Sequence, residues 1–321
     1  MGNEIMRRAQ RNKKDEFYTQ TEDIEKELPL YKGQFQRKTV FLPCDSIGSN
    51  FTKFFKTVFE EWCIKKAYAL HWNGEGTPAT LVTISYDSVT SVPLIDDDGD
   101  LRSSATFRQL LSKSDIIVTN PPFSLFRQFM TTLIKSGKNF IVLGNMNQIL
   151  TKDLFQYVAS DKLWWGPSIY SGDRTFRVPV DYPLEASGTS VDENGNKYIR
   201  VKGVRWFTNM RPDPENATVS RAIVPTVRYS DMTYDRFDYM PDIICINRTE
   251  DIPYDYDGIM GVPLTYFDRH NPELFEIIDG VNRYLVLDKL GISEEAKKNH
   301  WHLLTVNGKV KYFRILIKRK K

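Results

Sequence analysis

The residues of this chain with the most distinctive chemistry are Asn120-Pro121-Pro122-Phe123, which follow the apolar run Asp115-Ile116-Ile117-Val118-Thr119. A β-branched run of this kind reads as a buried strand. The two prolines must end it, because proline cannot donate to a hydrogen-bond ladder. An amide, two rigid rings and an aromatic are therefore presented together at a strand's carboxyl end, where open α/β sheets bind ligands. The chemistry this suits is methylation of an exocyclic amino group. Such a nitrogen is a poor nucleophile while its lone pair is delocalised into the ring. Two acceptors aimed at its N–H bonds favour the geometry that frees the lone pair, and the Asn120 side-chain oxygen and the Pro121 carbonyl are candidates for them. Proline fixes φ, so that carbonyl is held before a substrate arrives. Phe123 is a candidate to stack on the base, a contact worth about 1–3 kcal/mol. The plainer alternative is an ordinary strand-ending turn, where Asn-Pro is common.

The elements that must position this turn are legible on either side of it. Lys38–Leu42 reads as a strand, Pro43–Asn50 as a loop, Phe51–Lys66 as a helix with apolar residues at helical spacing, and Ala67–Trp72 as a second strand. That order is a βαβ unit, hence parallel strands with a right-handed crossover. A short strand is predicted near Thr80–Tyr86, helices over Phe107–Ser112 and Ser124–Lys135, and a buried strand over Phe140–Gly144. Thr21–Leu30 reads as a short helix with Thr21 as its N-cap. From Trp164 onward strands shorten and aromatics multiply, with helices expected only at Pro272–Ile278 and Ser293–Lys298. The expectation is an α/β protein with a Rossmann-like, doubly wound sheet ending around Trp206–Met210. A catalytic region over 1–212 would then precede a less regular recognition region over 213–321. Residues 1–14 read as unstructured until something binds them.

A doubly wound sheet places a cofactor beyond its first strands. The loop after the first strand carries Asp45, Gly48, Ser49 and Asn50. Gly48 permits close backbone approach, and Asp45 suits a cationic amino group. The second strand ends at His71-Trp72-Asn73, where related folds place an acid for ribose hydroxyls; Glu75 is the nearest. Asp96-Asp97-Asp98-Gly99-Asp100 reads as a solvated acidic turn or a cation loop. It is not a calcium loop, because its twelfth position is Phe107 rather than Glu. Phe17, Tyr18 and Thr19 would either wall the cofactor or staple onto the next helix.

These blocks carry a resemblance. Asp15–Gln20, Cys44-Asp45 with Ser49-Asn50-Phe51, Val118–Phe126, Arg205–Asn209 and Phe313–Lys318 occur here in the order found in the EcoRI-type adenine-specific DNA methyltransferase family. The chain departs from the Gly-rich cofactor loop usual in methyltransferases, a departure that family shares. The resemblance implies S-adenosylmethionine as cofactor, held by Phe17, Tyr18, Thr19, Asp45, Gly48, Asn50, Asp98 and Asp100. It implies catalysis by Asn120, Pro121, Pro122 and Phe123 on an adenine flipped out of double-stranded DNA. A second aromatic face for that base would come from Trp206, Phe207 or Phe176, each of which could equally be core. Arg211, Arg221, Arg228, Arg236 and Arg269 are candidates for phosphate or base contact. By the same analogy the enzyme would act as a monomer, with any cognate restriction endonuclease acting separately. The alternatives are methylation of an RNA amino group or a glutamine side chain, or a silent DNA-binding module.

Composition sets wide bounds. At 321 residues, with 41% hydrophobic and 26% charged content, the chain can bury one large core or two. A net charge of +3 argues for no partner by itself. The basic clusters at the two ends, Arg7 to Lys14 and Lys318 to Lys321, suit either phosphate contact or solvated tails. Three cysteines without metal-ligand spacing suggest a reducing, cytoplasmic compartment, and four histidines form no convincing metal site. No secretory signal or membrane-spanning run is present.

Overall fold

The computed structural model describes residues 17–74, 76–170, 173–179, 182, 188–219, 222–280 and 302–320. The chain packs as two units, residues 1–148 with 166–217 and residues 149–165 with 218–321. A single boundary after residue 212 misses the excursion of 149–165, which packs with the later unit.

In the first unit, β1 (Thr39–Leu42), β2 (Lys66–His71), β3 (Thr80–Ile84), β4 (Val89–Pro93), β5 (Ile116–Thr119) and β6 (Asn139–Asn145) follow one another in sequence. They hydrogen-bond in the order β4-β3-β2-β1-β5-β6. Strands β2, β1, β5 and β6 are parallel, and the β3–β4 hairpin adds antiparallel to β2. Every residue of β1 and β5 is buried, the unbroken apolar pattern of strands covered on both faces. The chain leaves β1 for β2 on one side and later returns to β5 on the other. The strand order therefore reverses between β1 and β5, which makes their carboxyl ends the switch point of the sheet. Asp115 fastens the other ends: its carboxylate accepts from Thr39 N at 2.8 Å, and its own N–H donates to Thr39 O at 2.9 Å.

Helix α1 (Thr21–Glu27) has Gln20, not Thr21, at its N-cap, without a side-chain cap bond. It gives way to a 3-10 segment, Leu28–Phe35, where Pro29 removes a donor. Helix α2 (Asn50–Val58) is capped by Ser49, whose Oγ accepts from Thr52 N at 3.0 Å, and buries Phe51, Phe54, Phe55 and Val58. It stops well short of the predicted Lys66, because Cys63 adopts a left-handed φ of 50° and turns the chain into β2. Helices α3 (Ala105–Lys113) and α4 (Phe126–Ser136) follow; Ser104 caps the first and Gly137, at φ 69°, ends the second.

Beyond the short β7 (Trp164–Trp165) of the later unit, β8 (Asp173–Val178), β9 (Thr189–Val191) and β10 (Lys197–Lys202) make a small antiparallel sheet. Strand β11 (Val204–Thr208) then pairs antiparallel with β6. This is the sheet ending expected around Trp206. In the later unit, β12 (Asp235–Phe237), β13 (Met240–Cys245), β14 (Met260–Pro263), β15 (Phe275–Gly280) and the final strand pack over a core that includes Phe237, Ile243, Leu304 and Leu316. Two short strands, β16 (Thr305–Val306) and β17 (Lys309–Val310), form a hairpin before β18 (Arg314–Arg319), and the larger sheet runs β12-β13-β14-β18-β15. The helix predicted over Pro272–Ile278 is largely strand: Phe275 and Ile277 are buried and Glu276 is exposed, a two-residue period paired to β18. The predicted helix at 293–298 and the amino-terminal 1–14 lie outside the described residues. Among the described residues no helix is long and apolar enough to cross a membrane.

Candidate active site

A cavity of about 340 Å³ opens beyond the carboxyl ends of β1, β2 and β5. Of the residues singled out from sequence, Phe17, Tyr18, Thr19, Asp45, Asn50, Asp100, Asn120 and Pro122 line it. Strand β5 delivers Asn120 to this edge, and the prolines stop the ladder there. The Asn120 Nδ2 donates to the Phe17 carbonyl at 2.6 Å and to the Thr19 hydroxyl at 3.1 Å. A carbonyl can only accept, so these bonds fix which end of the amide is nitrogen and leave Oδ1 as its acceptor. Asn50, at the start of α2, donates from its own Nδ2 to the Thr19 carbonyl at 2.8 Å. Tyr18 N donates to Arg177 O at 2.9 Å. The segment Phe17–Thr19 is thus held by Asn50, Asn120 and the β8 backbone, and in turn sets the Asn120 rotamer.

The rest of the tetrapeptide sits differently. Pro121 is buried and outside the cavity lining. The turn into α4 uses the Pro122 carbonyl, which accepts from Leu125 N at 3.0 Å, and not that of Pro121. Phe123 is 5% exposed, with its ring 5.1 Å from that of Phe17. The expected open stacking face is therefore covered here. Among the aromatics that line the cavity, Tyr18 is exposed, at 42%.

At the end of β1, Asp45 is buried at 7% exposure. Thr119, the last residue of β5, donates its hydroxyl to Asp45 Oδ2 at 3.3 Å. Burial pushes this carboxyl up to about 7, against the pull of hydrogen bonds from Ser49 and Thr119. Gly48 is exposed and does not line the cavity, and a Cβ there would meet nothing nearer than Ser46 Oγ at 4.0 Å. His71 and Trp72, at the end of β2, do line it; Glu75 lies outside the described residues.

The acidic turn divides by position. Asp100 lines the cavity and pairs with Arg102, which lines it too. Asp98 faces a second hollow with Asp96 and Asp97. Asp97 organises the turn: burial works against its charge, but bonds from Thr106, Ser104 and Gly99 bring its carboxyl down to about 2. Gly99 is required here, at φ 74° with a would-be Cβ 2.7 Å from Ala79 Cβ. His71, Trp72, Arg102, Ser124 and Leu125 are lining residues that sequence reasoning passed over. The position of the first two at a strand's carboxyl end was the usable signal.

Trp206 and Phe207, expected to face the base, are instead fully buried in β11. Phe207 packs its ring 4.9 Å from Phe126, and Trp206 meets Phe51 edge-on at 6.1 Å. A strand inside a covered sheet turns neither face to a ligand. Phe176 is likewise core, 5.9 Å from Phe17. Of the candidate arginines, Arg228 pairs with Asp255 and Arg269 with Glu250, Arg236 donates to Pro241 O, and Arg211 offers its carbonyl to Gln34; residue 221 lies outside the described residues. No group of three or more His, Cys, Asp or Glu among the described residues is placed to hold a metal.

A parallel sheet with its cavity at the switch point, and an Asn-Pro-Pro-Phe turn entering that cavity, define the Rossmann-like methyltransferase class. Within it, the chain belongs to the family described as adenine-specific methyltransferase EcoRI, which matches residues 5–90 and 81–320. It is 36% identical to the Type II methyltransferase M.EcoRI of Escherichia coli, over 99% of this chain and 97% of that one. It is 35% identical to M.MgeORF184P of Mycoplasma genitalium, over 97% and 98% of the two chains. With M.MpnI of Mycoplasma pneumoniae it shares 34% identity over 98% and 97%. No solved structure matches significantly.

Proposed function

We propose that this protein transfers a methyl group from S-adenosylmethionine to the N6 amino group of an adenine flipped from double-stranded DNA, as the modification enzyme of a Type II system. The observation that carries this reading is the fixed Asn120 amide, with Nδ2 spent on Phe17 O and Thr19 Oγ1 and Oδ1 left to accept from an amine. The cavity suits the cofactor. Its volume of about 340 Å³ is that of a small-molecule site, and its wall combines a buried carboxylate, Asp45, with an aromatic, Trp72. Asp45 would hold the cofactor's ammonium, and Trp72, Asp100 and Arg102 its nucleoside end. S-adenosylmethionine supplies an electrophilic methyl group on a sulfonium centre.

The protein's own part is to hold the amine. Asn120 Oδ1, which lines the cavity, accepts one of its N–H bonds and so helps turn the nitrogen lone pair out of conjugation. On transfer the C–S bond of the sulfonium would break to leave a neutral thioether, and the nitrogen would gain the methyl and give its surplus proton to water. We assign the base-facing ring to Tyr18, on the strength of its exposure, and give Phe123 the task of backing Phe17. Asn50 acts by positioning, through Thr19, rather than by touching the cofactor.

The test is long-read sequencing of plasmid DNA from cells expressing the wild type or an Asn120→Ala variant. Methylated adenine at one short motif, absent with the variant, is the expected result. A folded, cofactor-binding wild type that leaves all adenines unmodified would redirect the assignment to an RNA or protein amide.

A further inference from the structure

The later unit ends in a segment that the cavity does not explain. Strands β16 and β17 form a hairpin with Asn307 and Gly308 at its tip, at φ 52° and 72°, the left-handed pair of a tight two-residue turn. The Asp238 carboxylate grips that tip, accepting from Asn307 N and Gly308 N at 2.9 Å each. On the far side, Lys311 N donates to Leu304 O at 2.8 Å. The buried Arg314 then donates to the carbonyls of Tyr312, at 3.0 Å, and Phe313, at 3.3 Å. The backbone from 307 to 313 is therefore pinned at both ends.

What it presents is unlike a core. Tyr312 is 92% exposed, and among the described residues no large apolar side chain is more so. Val310 is exposed beside it, as is Lys309, and Lys311 is half-buried. Among the described residues neither lysine is ion-paired. A fixed backbone that offers lysines interleaved with an exposed aromatic complements a polyanion with flat, half-apolar sugars and bases. The carboxylates of Asp235 and Asp238 are engaged with Asn307 and Gly308 at the tip, so the cationic part of the hairpin is the Lys309–Lys311 arm beyond it.

We propose that Lys309–Tyr312 is a contact element for the backbone of duplex DNA, with both lysines on phosphates and Tyr312 against the deoxyribose between them. This rests on the reading of the substrate as DNA and adds to it a backbone contact carried by the later unit. The contact is with the backbone and does not depend on sequence.

The test is the salt dependence of binding of a fluorescently labelled, mixed-sequence duplex to the full-length protein, for the wild type, Lys309→Ala/Lys311→Ala, Tyr312→Ala and Tyr312→Phe. Removing two phosphate contacts should lower the slope of log K against log salt by about 2. Tyr312→Ala should weaken binding by roughly tenfold, with Tyr312→Phe retaining most of it. S-adenosylmethionine affinity, measured in parallel, should match the wild type in all three and shows that they are folded. Wild-type slope and affinity in the lysine and alanine variants would overturn the proposal while leaving the DNA reading intact. Absence of duplex binding by the wild type itself would overturn both.

Discussion

The side-chain nitrogen of Asn120 donates to the hydroxyl of Thr19 across 101 positions of sequence, at 3.1 Å. This bond, with the one to Phe17 O, decides which atom of the amide meets the substrate. Thr19→Val keeps the shape and removes the acceptor, so the amide is held by one bond instead of two. The expected result is a fall in kcat of roughly tenfold, the size of one hydrogen bond at about 1.4 kcal/mol, with KM for DNA little changed. Single-turnover methylation of plasmid DNA measures it. A wild-type rate would mean that Phe17 O alone fixes the amide.

Asp45 gives the cofactor site a pH dependence of definite sign. Its carboxyl titrates near 7 because it is buried, and only its ionised form attracts an ammonium group. Cofactor affinity should therefore rise as pH increases through about 7 and level off above it, with proton release on binding below that point. Calorimetry in two buffers of different ionisation heat reads the released protons directly. Asp45→Asn should bind more weakly and show a flat profile; a sloping profile in that variant would assign the titration to another group.

Stability should fall with pH for a related reason. Glu27 is fully buried beside Tyr31 and Ser168, accepting from Tyr31 Oη at 2.8 Å and Ser168 N at 2.9 Å. Burial raises its carboxyl to about 7, outweighing the hydrogen bonds from Ser168 and Tyr31. A carboxyl with a raised folded-state value binds its proton more tightly when folded. Its contribution is complete below the unfolded value near 4.5 and is lost as pH climbs to about 7, by on the order of 3 kcal/mol. Asp45 adds a term of the same sign. Urea unfolding across this range should show the midpoint dropping. Gly166 makes the packing testable by substitution, since a Cβ there would overlap Glu27 Oε1 and lie 2.9 Å from Trp206 Cβ. Gly166→Ala should destabilise by several kcal/mol, seen as a lower melting temperature.

How far the sequence revealed this arrangement depends on what each residue type can report. Strands β1, β5 and β6 were legible because unbroken apolar runs report burial on both faces, and their order along the chain implied a parallel sheet. The carboxyl end of β5 was legible because two prolines must end a ladder. What escaped were relations between distant segments. Nothing in Asn50 says that its amide nitrogen will donate to the Thr19 carbonyl while the residue also lines the cavity. Trp206 and Phe207 read as base-facing because an aromatic pair reports size, not direction; only pairing with β6 shows that both are inside. Phe275–Ile278 read as helix because its strand partner, β18, begins at Arg314, 39 positions after Phe275.

The aromatic residues offer the sharpest division between chemistry and packing. Phe123 and Trp206 are buried, whereas Tyr18 is exposed in the cavity. Truncating a buried ring leaves a void, at about 3–5 kcal/mol for an aromatic replaced by alanine. Phe123→Ala should thus lower the melting temperature and, by loosening Phe17, reduce kcat as well; Trp206→Ala should lower the melting temperature with no selective effect on DNA. Tyr18→Ala removes an exposed ring and should leave melting nearly unchanged, while KM for DNA rises roughly tenfold through loss of one base stack. Thermal scans and steady-state kinetics on the three variants separate the roles. If Phe123→Ala keeps wild-type melting and raises KM instead, the ring leaves Phe17 to meet the base, and the stacking role returns to Phe123.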